Sequence, residues 1–383
     1  LYQSIKEELM DQFNVYKDMK ARTNGEIYIG VVGPVRTGKS TFIKRFMNLM
    51  VLPNIEDEND RNRANDELPQ SSSGKTIMTT EPKFVPNEAV SIKTEEGIEL
   101  NVRLIDCVGY MVEGATGHME GEEERLVKTP WFDYEIPFTK AAAIGTKKVI
   151  TEHSTIGVVV TCDGSFGEIA AKQYEPAEEE TIKQLKALKK PFVVLLNTIH
   201  PYSESTKQLA AEKEEKYQTK VLPMNLEQMK KEDIYEIIKS VLMEFPISSI
   251  GFYVPRWTEM LKKDHPLKME LLQMARDVIT EKTTMRDIYE EQEKEYEYIT
   301  GQKLESVAMD SGKVVITVKV GDVYYYEFLS EFNVMDIQSA VRMLYSIGDL
   351  DKDSMNQTIN ALVRRNYELS DKAENARYMD STS

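Results

Sequence analysis

Apolar and polar residues alternate in two different ways along the first 250 positions. Short apolar runs rich in Val and Ile predict strands at residues 27–32, 99–105, 155–161, 192–196 and 220–222. Apolar residues spaced every three to four positions predict helices at residues 41–50, 177–189 and 226–245. Strands that alternate with helices are typical of a parallel sheet. The pattern therefore predicts an α/β fold, a doubly wound parallel sheet with helices on both faces.

The two ends of the chain have other patterns. Residues 1–22 place apolar side chains at helical spacing and predict a leading amphipathic helix. After Pro246, the charged stretch 258–298 predicts helix, and the last fifty residues also look helical. Residues 303–328 predict strands at Val314–Val318 and Val323–Tyr326, joined through the turn signal Gly321-Asp322. We therefore expect an α/β domain with the leading helix at 1–246, a mainly helical region at 247–300 and a small α+β region at 301–383.

Composition and charge narrow the class of protein. Hydrophobic residues make up 41% and charged residues 29%, as in soluble globular proteins, and the net charge is −16. Such an acidic balance argues against a nucleic-acid partner. No apolar run approaches the roughly 20 residues that cross a bilayer. The two cysteines lie in apolar stretches, which favours buried free thiols. The acidic clusters 56–60, 122–124 and 178–180 are predicted to be solvated.

The strongest chemical signal is the segment Gly33–Ser40, which follows the first strand and precedes a helix. Its pattern, Gly-x₄-Gly-Lys-Ser, is that of a phosphate-binding P-loop. The glycines let successive backbone N–H groups face the phosphates, and the following helix adds the positive end of its dipole. Lys39 is expected to reach the phosphates and Ser40 to bind Mg²⁺. The predicted nucleotide-binding residues of this loop are Gly33, Arg36, Thr37, Gly38, Lys39, Ser40 and Thr41.

A second signal, Asp106-Cys-Val-Gly109, ends a predicted strand. An aspartate at such a strand end can hold Mg²⁺, as the Walker B acid does. The backbone N–H of Gly109 can then donate to the terminal phosphate. This pair supports the prediction of an NTPase with a Mg²⁺ site formed by Ser40 and Asp106.

Between the two motifs lies Gly74-Lys-Thr-Ile-Met-Thr-Thr80, after a run of serines. Switch-type NTPases place a loop here whose threonine completes the Mg²⁺ shell and senses the terminal phosphate. Thr79 and Thr80 are the candidates for catalysis, and Thr80 for metal binding. The alternative is that both threonines simply open a strand towards Phe84.

The strand at 192–196 ends in Asn197-Thr-Ile-His200. GTPases of this architecture carry Asn/Thr-Lys-x-Asp there, and the Asp pairs with guanine. Asn197 is retained as a nucleotide-binding candidate, but the Lys and the Asp are missing. Because an unpaired base edge lowers affinity strongly, the sequence favours ATP over GTP.

The residue after Gly109 is Tyr110, whereas Ras-type enzymes have a glutamine that orients the attacking water. Hydrolysis without that glutamine is expected to be slow, unless Thr79, Thr80 or a neighbouring subunit supplies a substitute. Arg36 is a further candidate for charge stabilisation, the alternative being that it faces solvent.

Taken together, several segments resemble the stage IV sporulation protein A family, the coat morphogenetic ATPases of endospore-forming bacteria. They are Gly30–Lys44, Asp66–Gln70, Gly74–Pro86, Leu104–Tyr110 and Glu152–Val159. The resemblance covers about residues 15–260. Beyond residue 300 it fades, although Asp371–Tyr378 faintly resembles the family's C-terminal end.

The resemblance implies a fold related to translation-factor GTPases but converted to ATP use. It assigns the Walker A role to Lys39, the Walker B role to Asp106 and paired sensor roles to Thr79 and Thr80. It also implies self-assembly into a static homopolymer in the mother-cell cytoplasm, at the outer forespore surface. A small amphipathic membrane peptide, stage V sporulation protein M, anchors that scaffold, so membrane association is peripheral, and other spore coat proteins build on it.

Two other functions remain open on sequence grounds. One is a structural scaffold that binds nucleotide without turnover, although Lys39, Ser40 and Asp106 are all intact. The other is a GTPase related to translation or ribosome-assembly factors, against which the acidic charge and the absent guanine motif count.

Overall fold

The computed structural model describes residues 15–69, 82–93, 99–120, 123–167, 169–289 and 294–330. The chain divides into two compact units. The first contains the described residues up to Pro246, together with Thr284–Arg286 and Met309–Gly312. The second contains the other described residues after Pro246.

The first unit is built on a six-stranded sheet. Its strands are β1 (Glu26–Val32), β2 (Lys83–Lys93), β3 (Glu99–Asp106), β8 (Ile156–Cys162), β9 (Phe192–Asn197) and β10 (Val221–Met224). Across the sheet they lie in the order β10-β9-β8-β1-β3-β2. Neighbouring strands run parallel, except that the edge strand β2 is antiparallel to β3. Two small hairpins follow β3, formed by β4 (Met119–Glu120), β5 (Glu123–Glu124), β6 (Leu126–Thr129) and β7 (Phe132–Pro137).

Helices connect these strands. They are α1 (Val15–Arg22), α2 (Lys39–Phe46), α3 (Glu58–Asp66), α4 (Phe138–Lys148), α5 (Ala171–Ala187), α6 (Glu204–Tyr217) and α7 (Lys231–Met243). Helices α2 and α4 each continue into one π-helical turn, at Met47–Val51 and Val149–His153. The mixed α/β class with a parallel-stranded sheet, predicted from the hydrophobic pattern, is confirmed.

The burial of the central strands explains why short apolar runs in the sequence predicted them. Every residue of β8 and of β9 is buried, as expected for parallel strands covered on both faces. The predicted strand bounds differ from the observed ones by one or two residues. Both cysteines, Cys107 and Cys162, are buried and free, as the sequence predicted.

The second unit contains a three-stranded sheet in the order β11-β13-β12, with strands β11 (Ser249–Tyr253), β12 (Ile299–Ala308) and β13 (Lys313–Val320). Its helices are α8 (Pro266–Glu281) and α9 (Asp322–Ser330). The hairpin joins β12 to β13 and not β13 to a following strand.

Two predictions for this unit are wrong. Residues Val323–Tyr326 lie in α9 and not in a strand, because side chains three apart, Tyr325 and Phe328, both pack on the ring of Trp257. The predicted helix over 258–298 is too long. Its helical core is α8, which starts with Pro266 after the capping residue His265.

One of the acidic clusters was also misjudged. Glu178 is fully buried on α5, although its neighbours Glu179 and Glu180 are exposed. The buried positions of α5 recur at helical spacing, at Tyr174, Ala177, Glu178, Thr181, Ile182 and Leu185. The helical spacing of these positions therefore indicates that Glu178 is buried. The run of three glutamates led instead to the prediction of a solvated cluster.

Candidate functional site

The segment after β1 has the backbone that a phosphate-binding loop needs. Gly33 and Gly38 adopt positive φ values of 125° and 101°, and Arg36 lies between them at 63°. A side chain at Gly33 would come within 2.4 Å of the Val160 carbonyl, and one at Gly38 within 2.7 Å of the Asn197 amide. Both positions therefore require glycine for reasons of conformation and space.

Lys39 begins α2 and is buried inside this loop. Its Nζ donates to the carbonyl oxygen of Pro34 at 2.5 Å, so the ammonium lies within the curl of the loop. The Thr37 hydroxyl donates to the same carbonyl at 3.0 Å. Burial lowers the pKa of Lys39, although Cys107 and Asp106 act in the opposite direction. The ammonium group of Lys39 is thus shielded from water, and few other groups compete with an anion for binding to it.

Asp106 is brought to the loop by strand pairing. It ends β3 and lies opposite Val31 of β1 in the parallel register. The Ser40 hydroxyl donates to Asp106 Oδ2 at 2.9 Å. Burial raises the pKa of Asp106, against the opposing effects of Lys39 and Ser40. The structure therefore brings the two predicted metal ligands, 66 positions apart, into direct contact.

The segment that follows Asp106 is joined to the loop through the backbone. The Val35 N–H donates to the Tyr110 carbonyl at 3.0 Å. Gly109 has a φ of 92°, and a side chain there would meet the Gly33 carbonyl at 2.1 Å and Lys39 Nζ at 2.7 Å. Gly109 is thus held against the lysine, at the place where the sequence predicted a backbone donor.

Asn197, which was predicted to contact nucleotide, makes hydrogen bonds that hold the phosphate loop in place. It ends β9, its amide Nδ2 donates to the Thr37 carbonyl at 3.0 Å, and its Oδ1 accepts from the Leu226 N–H at 3.2 Å. The side chain is buried. Asn197 therefore connects the phosphate loop to the segment after β10.

Sequence reasoning missed a polar network at the carboxyl ends of β8 and β9. The Thr198 hydroxyl donates to Asp163 Oδ2 at 2.6 Å, and Ser165 donates to Asp163 Oδ1 through its N–H at 2.9 Å and its hydroxyl at 2.5 Å. The His200 N–H donates in turn to the Thr198 hydroxyl at 3.1 Å, while the residue itself is exposed. The sequence does contain a sign of this network. Thr198 stands where GTPases carry the lysine of their Asn/Thr-Lys-x-Asp motif.

Four other residues predicted to belong to the site take no part in the contacts described above. Thr79 and Thr80 lie outside the described residues. Thr41 follows Ser40 in the first turn of α2. Arg36, expected either to stabilise charge or to face solvent, is exposed but hydrogen-bonded to Thr116.

The residues present fit a nucleotide with Mg²⁺. In the part of the chain that the structure describes, Asp106 Oδ1 is buried and without a hydrogen-bond partner. Such an orphaned carboxylate oxygen beside a serine hydroxyl matches the oxygen ligands that Mg²⁺ prefers. The glycine-lined curl around Lys39 matches the needs of a phosphate group.

Comparison with known proteins agrees with this geometry. Residues 10–246 match the model of the stage IV sporulation protein A ATPase domain, and residues 247–366 match that of its middle domain. The chain belongs to the stage IV sporulation protein A family.

Its relatives span most of its length. It is 47% identical to stage IV sporulation protein A of Clostridioides difficile over 341 residues, which is 88% of this chain and 70% of the relative. The proteins of the same name from Bacillus anthracis and Bacillus subtilis are 44% and 43% identical, over 92% and 89% of this chain and 73% and 70% of theirs. The family resemblance predicted from the motifs is therefore confirmed.

Proposed function

We propose that this family member is a Mg²⁺-dependent ATPase whose slow hydrolysis of ATP drives its own assembly into a static scaffold. The observation that carries the proposal is the hydrogen bond of 2.9 Å between Ser40 and Asp106, beside the buried ammonium of Lys39. A chain that had lost catalysis would have no need to keep a desolvated lysine and a desolvated aspartate at one site.

Each residue has a defined task in this proposal. Lys39 and the loop N–H groups bind and orient the phosphates, and Gly109 offers a backbone donor close to Lys39. Ser40 and Asp106 supply oxygen ligands for the metal. When bound, Mg²⁺ supplies positive charge that offsets the charge of the phosphate oxygens. Thr79 and Thr80 are proposed to complete the site as sensors, as the family resemblance implies.

The proposal of ATP as the nucleotide rests on the ends of β8 and β9. A guanine-binding site needs a carboxylate that accepts two hydrogen bonds from the base, and His200 occupies that position. The hydroxyl of Thr198, which stands in the place of the GTPase lysine, donates a hydrogen bond to Asp163. These contacts support adenine, within a fold that we infer to be related to the translation-factor GTPases.

The biological setting is proposed from family membership. We infer that the chain forms a homopolymer in the mother-cell cytoplasm, as the basement layer of the spore coat on the outer forespore surface. Stage V sporulation protein M would anchor it peripherally, and other coat proteins would bind to it. Among the described residues, every helix is too short or too polar to span a bilayer.

Hydrolysis and assembly can be tested in one experiment. Purified protein is incubated with Mg²⁺ and either ATP or GTP, and phosphate release is followed together with sedimentation. The proposal expects slow, ATP-selective turnover and sedimenting polymer, both lost in Asp106→Asn and kept in the matched control Asp133→Asn, an exposed residue of β7. Binding without turnover would indicate a nucleotide-stabilised scaffold, and preference for GTP would indicate a GTPase.

A further inference from the structure

Lys83, the first residue of β2, lies opposite Asp106 in the antiparallel pairing of β2 with β3. Residues directly opposite each other in such a pair carry their side chains on the same face of the sheet. The hydrogen bond from Ser40 shows that Asp106 is on the face towards α2. Lys83 therefore lies on the face of the sheet that carries the candidate Mg²⁺ site.

The register at this end of β2 is fixed by contacts on both faces. On the opposite face, the guanidinium of Arg103 lies over the ring of Phe84 at 3.9 Å, and its Nε donates to the Pro86 carbonyl at 3.3 Å. Val85, two positions after Lys83 and on the same face, is fully buried. A slip of one residue would bring Val85 out of the core, so the pairing specifies where Lys83 lies.

The ammonium group of Lys83 is available to an anion. The residue is exposed, and within the part of the chain that the structure describes its side chain makes no hydrogen bond or ion pair. Burial raises the pKa of Asp106, and the charges of Lys39 and, more weakly, of Lys83 oppose that effect. Lys83 thus acts on the carboxylate from a distance, and its flexible stem can turn the charge towards another anion.

The strand order indicates which phosphate this anion would be. The proposed function places the base at the ends of β8 and β9, and the phosphate loop follows β1. Across the sheet, β3 and then β2 lie beyond β1. On this arrangement the phosphates extend from the base towards β3 and β2, so the terminal phosphate is the part of ATP nearest to Lys83.

The charges at the proposed site leave a task for a further cation. Lys39 and Asp106 carry opposite charges, so together they do not balance the charge of a nucleotide. Mg²⁺ offsets part of the charge of a triphosphate, and NTPases use additional cations for the terminal phosphate. ADP lacks that phosphate. A cation placed next to it would therefore separate substrate from product.

We propose that Lys83 is a second phosphate-binding cation, which binds the terminal phosphate of ATP and so distinguishes ATP from ADP. When Asp106 and Ser40 hold a metal ion, the ammonium of Lys83 no longer has a free carboxylate beside it and binds the phosphate oxygens instead. This inference rests on the proposed ATPase function and deepens it, because it names a residue that recognises the substrate.

The test measures nucleotide affinity, so it does not depend on turnover. Binding of ADP and of the non-hydrolysable ATP analogue AMP-PNP is measured by calorimetry with Mg²⁺, in wild type, Lys83→Ala and Lys83→Arg. The matched control is Lys128→Ala, which changes an exposed lysine of β6. ATP turnover is recorded for the same proteins, and melting curves check that each variant folds.

A bond to the terminal phosphate affects one nucleotide and spares the other. In Lys83→Ala, AMP-PNP binds about tenfold more weakly, because a charge-assisted hydrogen bond is lost. The affinity for ADP stays within about twofold of wild type. Lys83→Arg keeps most of the preference for AMP-PNP, since arginine retains the charge and the donors. Lys128→Ala binds both nucleotides as wild type does.

Three results would overturn the proposal. Equal weakening of ADP and AMP-PNP in Lys83→Ala would show that the lysine acts on the site as a whole. Unchanged affinity for both nucleotides, with tighter binding of Mg²⁺, would show that Lys83 serves only as a counter-ion of Asp106. A wild type that binds neither nucleotide would overturn the ATPase proposal as well. By contrast, a wild type without turnover whose AMP-PNP binding depends on Lys83 would overturn the ATPase proposal alone.

Discussion

The carboxyl ends of β1 and β3 differ from those of β8 and β9, although all four strands belong to one sheet. On the first side, which we call the phosphate side, Lys39, Ser40 and Asp106 are buried or half-buried and one carboxylate oxygen of Asp106 has no partner among the described residues. On the second side, which we call the base side after the nucleotide base that we propose to bind there, Asp163 and Thr198 are hydrogen-bonded to each other.

The difference shows how the two parts of a nucleotide constrain a protein. Phosphates and Mg²⁺ require fixed charges and open ligand positions, so the phosphate side keeps groups that are costly to bury. Base recognition depends on a few hydrogen bonds that can be replaced by others. The base side can therefore be rebuilt for another base while the phosphate side stays unchanged.

Removing the buried lysine should have the largest effect. Lys39→Ala is expected to lower ATP turnover by about 10³-fold or more, because the loop loses the cation at its centre. Turnover is measured as phosphate release with Mg²⁺ and ATP. The matched control is Lys44→Ala, an exposed residue of the same helix, which should keep the wild-type rate. Comparable losses in both variants would contradict a phosphate role specific to Lys39.

The base side also contains a largely buried ion pair. Glu178 of α5 accepts from Lys213 of α6 at 2.6 Å and from the Thr161 hydroxyl of β8, two residues before Asp163. Glu178→Ala should lower the free energy of unfolding by about 3 kcal/mol, because it leaves the Lys213 side chain, only 11% exposed, without this ion-pair partner.

Urea unfolding measures this effect against a control one residue away. Glu179 pairs with Lys216 of the same helix α6, but both side chains are about half exposed. Glu179→Ala should therefore change the stability by less than about 0.5 kcal/mol. Similar losses in the two variants would mean that burial of Glu178 does not decide its contribution.

A guanine-binding carboxylate can be restored on the base side. His200→Asp places an acceptor where GTPases carry one, and the exposed site tolerates the charge. The ratio of kcat/KM for GTP to that for ATP is expected to rise about tenfold. His200→Asn, which cannot accept both guanine hydrogen bonds, is the control. An unchanged ratio in His200→Asp would mean that the base binds elsewhere.

What the sequence could predict follows the same division. The proximity of Lys39, Ser40 and Asp106 could be predicted, because the loop and Asp106 are short local patterns at strand ends, whereas their roles in binding nucleotide stay predictions. The contact between Asp163 and Thr198 was missed, because it joins two strands through tertiary pairing that carries no fixed spacing. The same holds for Arg36 with Thr116 and for Glu178 with Lys213.

Errors in secondary structure had a related cause. Residues 323–326 were predicted as a strand from their β-branched and aromatic content, but packing of Tyr325 and Phe328 on Trp257 makes the segment helical. Such tertiary contacts override local preference. The hairpins β4–β7 were also not predicted, since their strands are only two to six residues long.

The smallest expected effect is on thermal stability. Replacement of an aspartate by asparagine should raise the stability on the phosphate side and lower it on the base side. Burial raises the pKa of Asp106. A carboxyl whose pKa is higher in the folded than in the unfolded chain destabilises the fold once it ionises. Without nucleotide and Mg²⁺, Asp106→Asn should therefore melt at a higher temperature than wild type at pH 8. That difference should shrink as the pH falls through the raised pKa.

On the base side the same substitution removes an acceptor that is in use. Asp163 accepts from Ser165 and Thr198, so Asp163→Asn should lower the free energy of unfolding by about 1–2 kcal/mol at pH 8. Melting curves of the two variants at pH 8 and pH 5 decide the matter. Stabilisation by Asp106→Asn alone would confirm that the phosphate side keeps its charge for a ligand, because the fold itself is better without it. Destabilisation by both would mean that Asp106 serves the fold as Asp163 does.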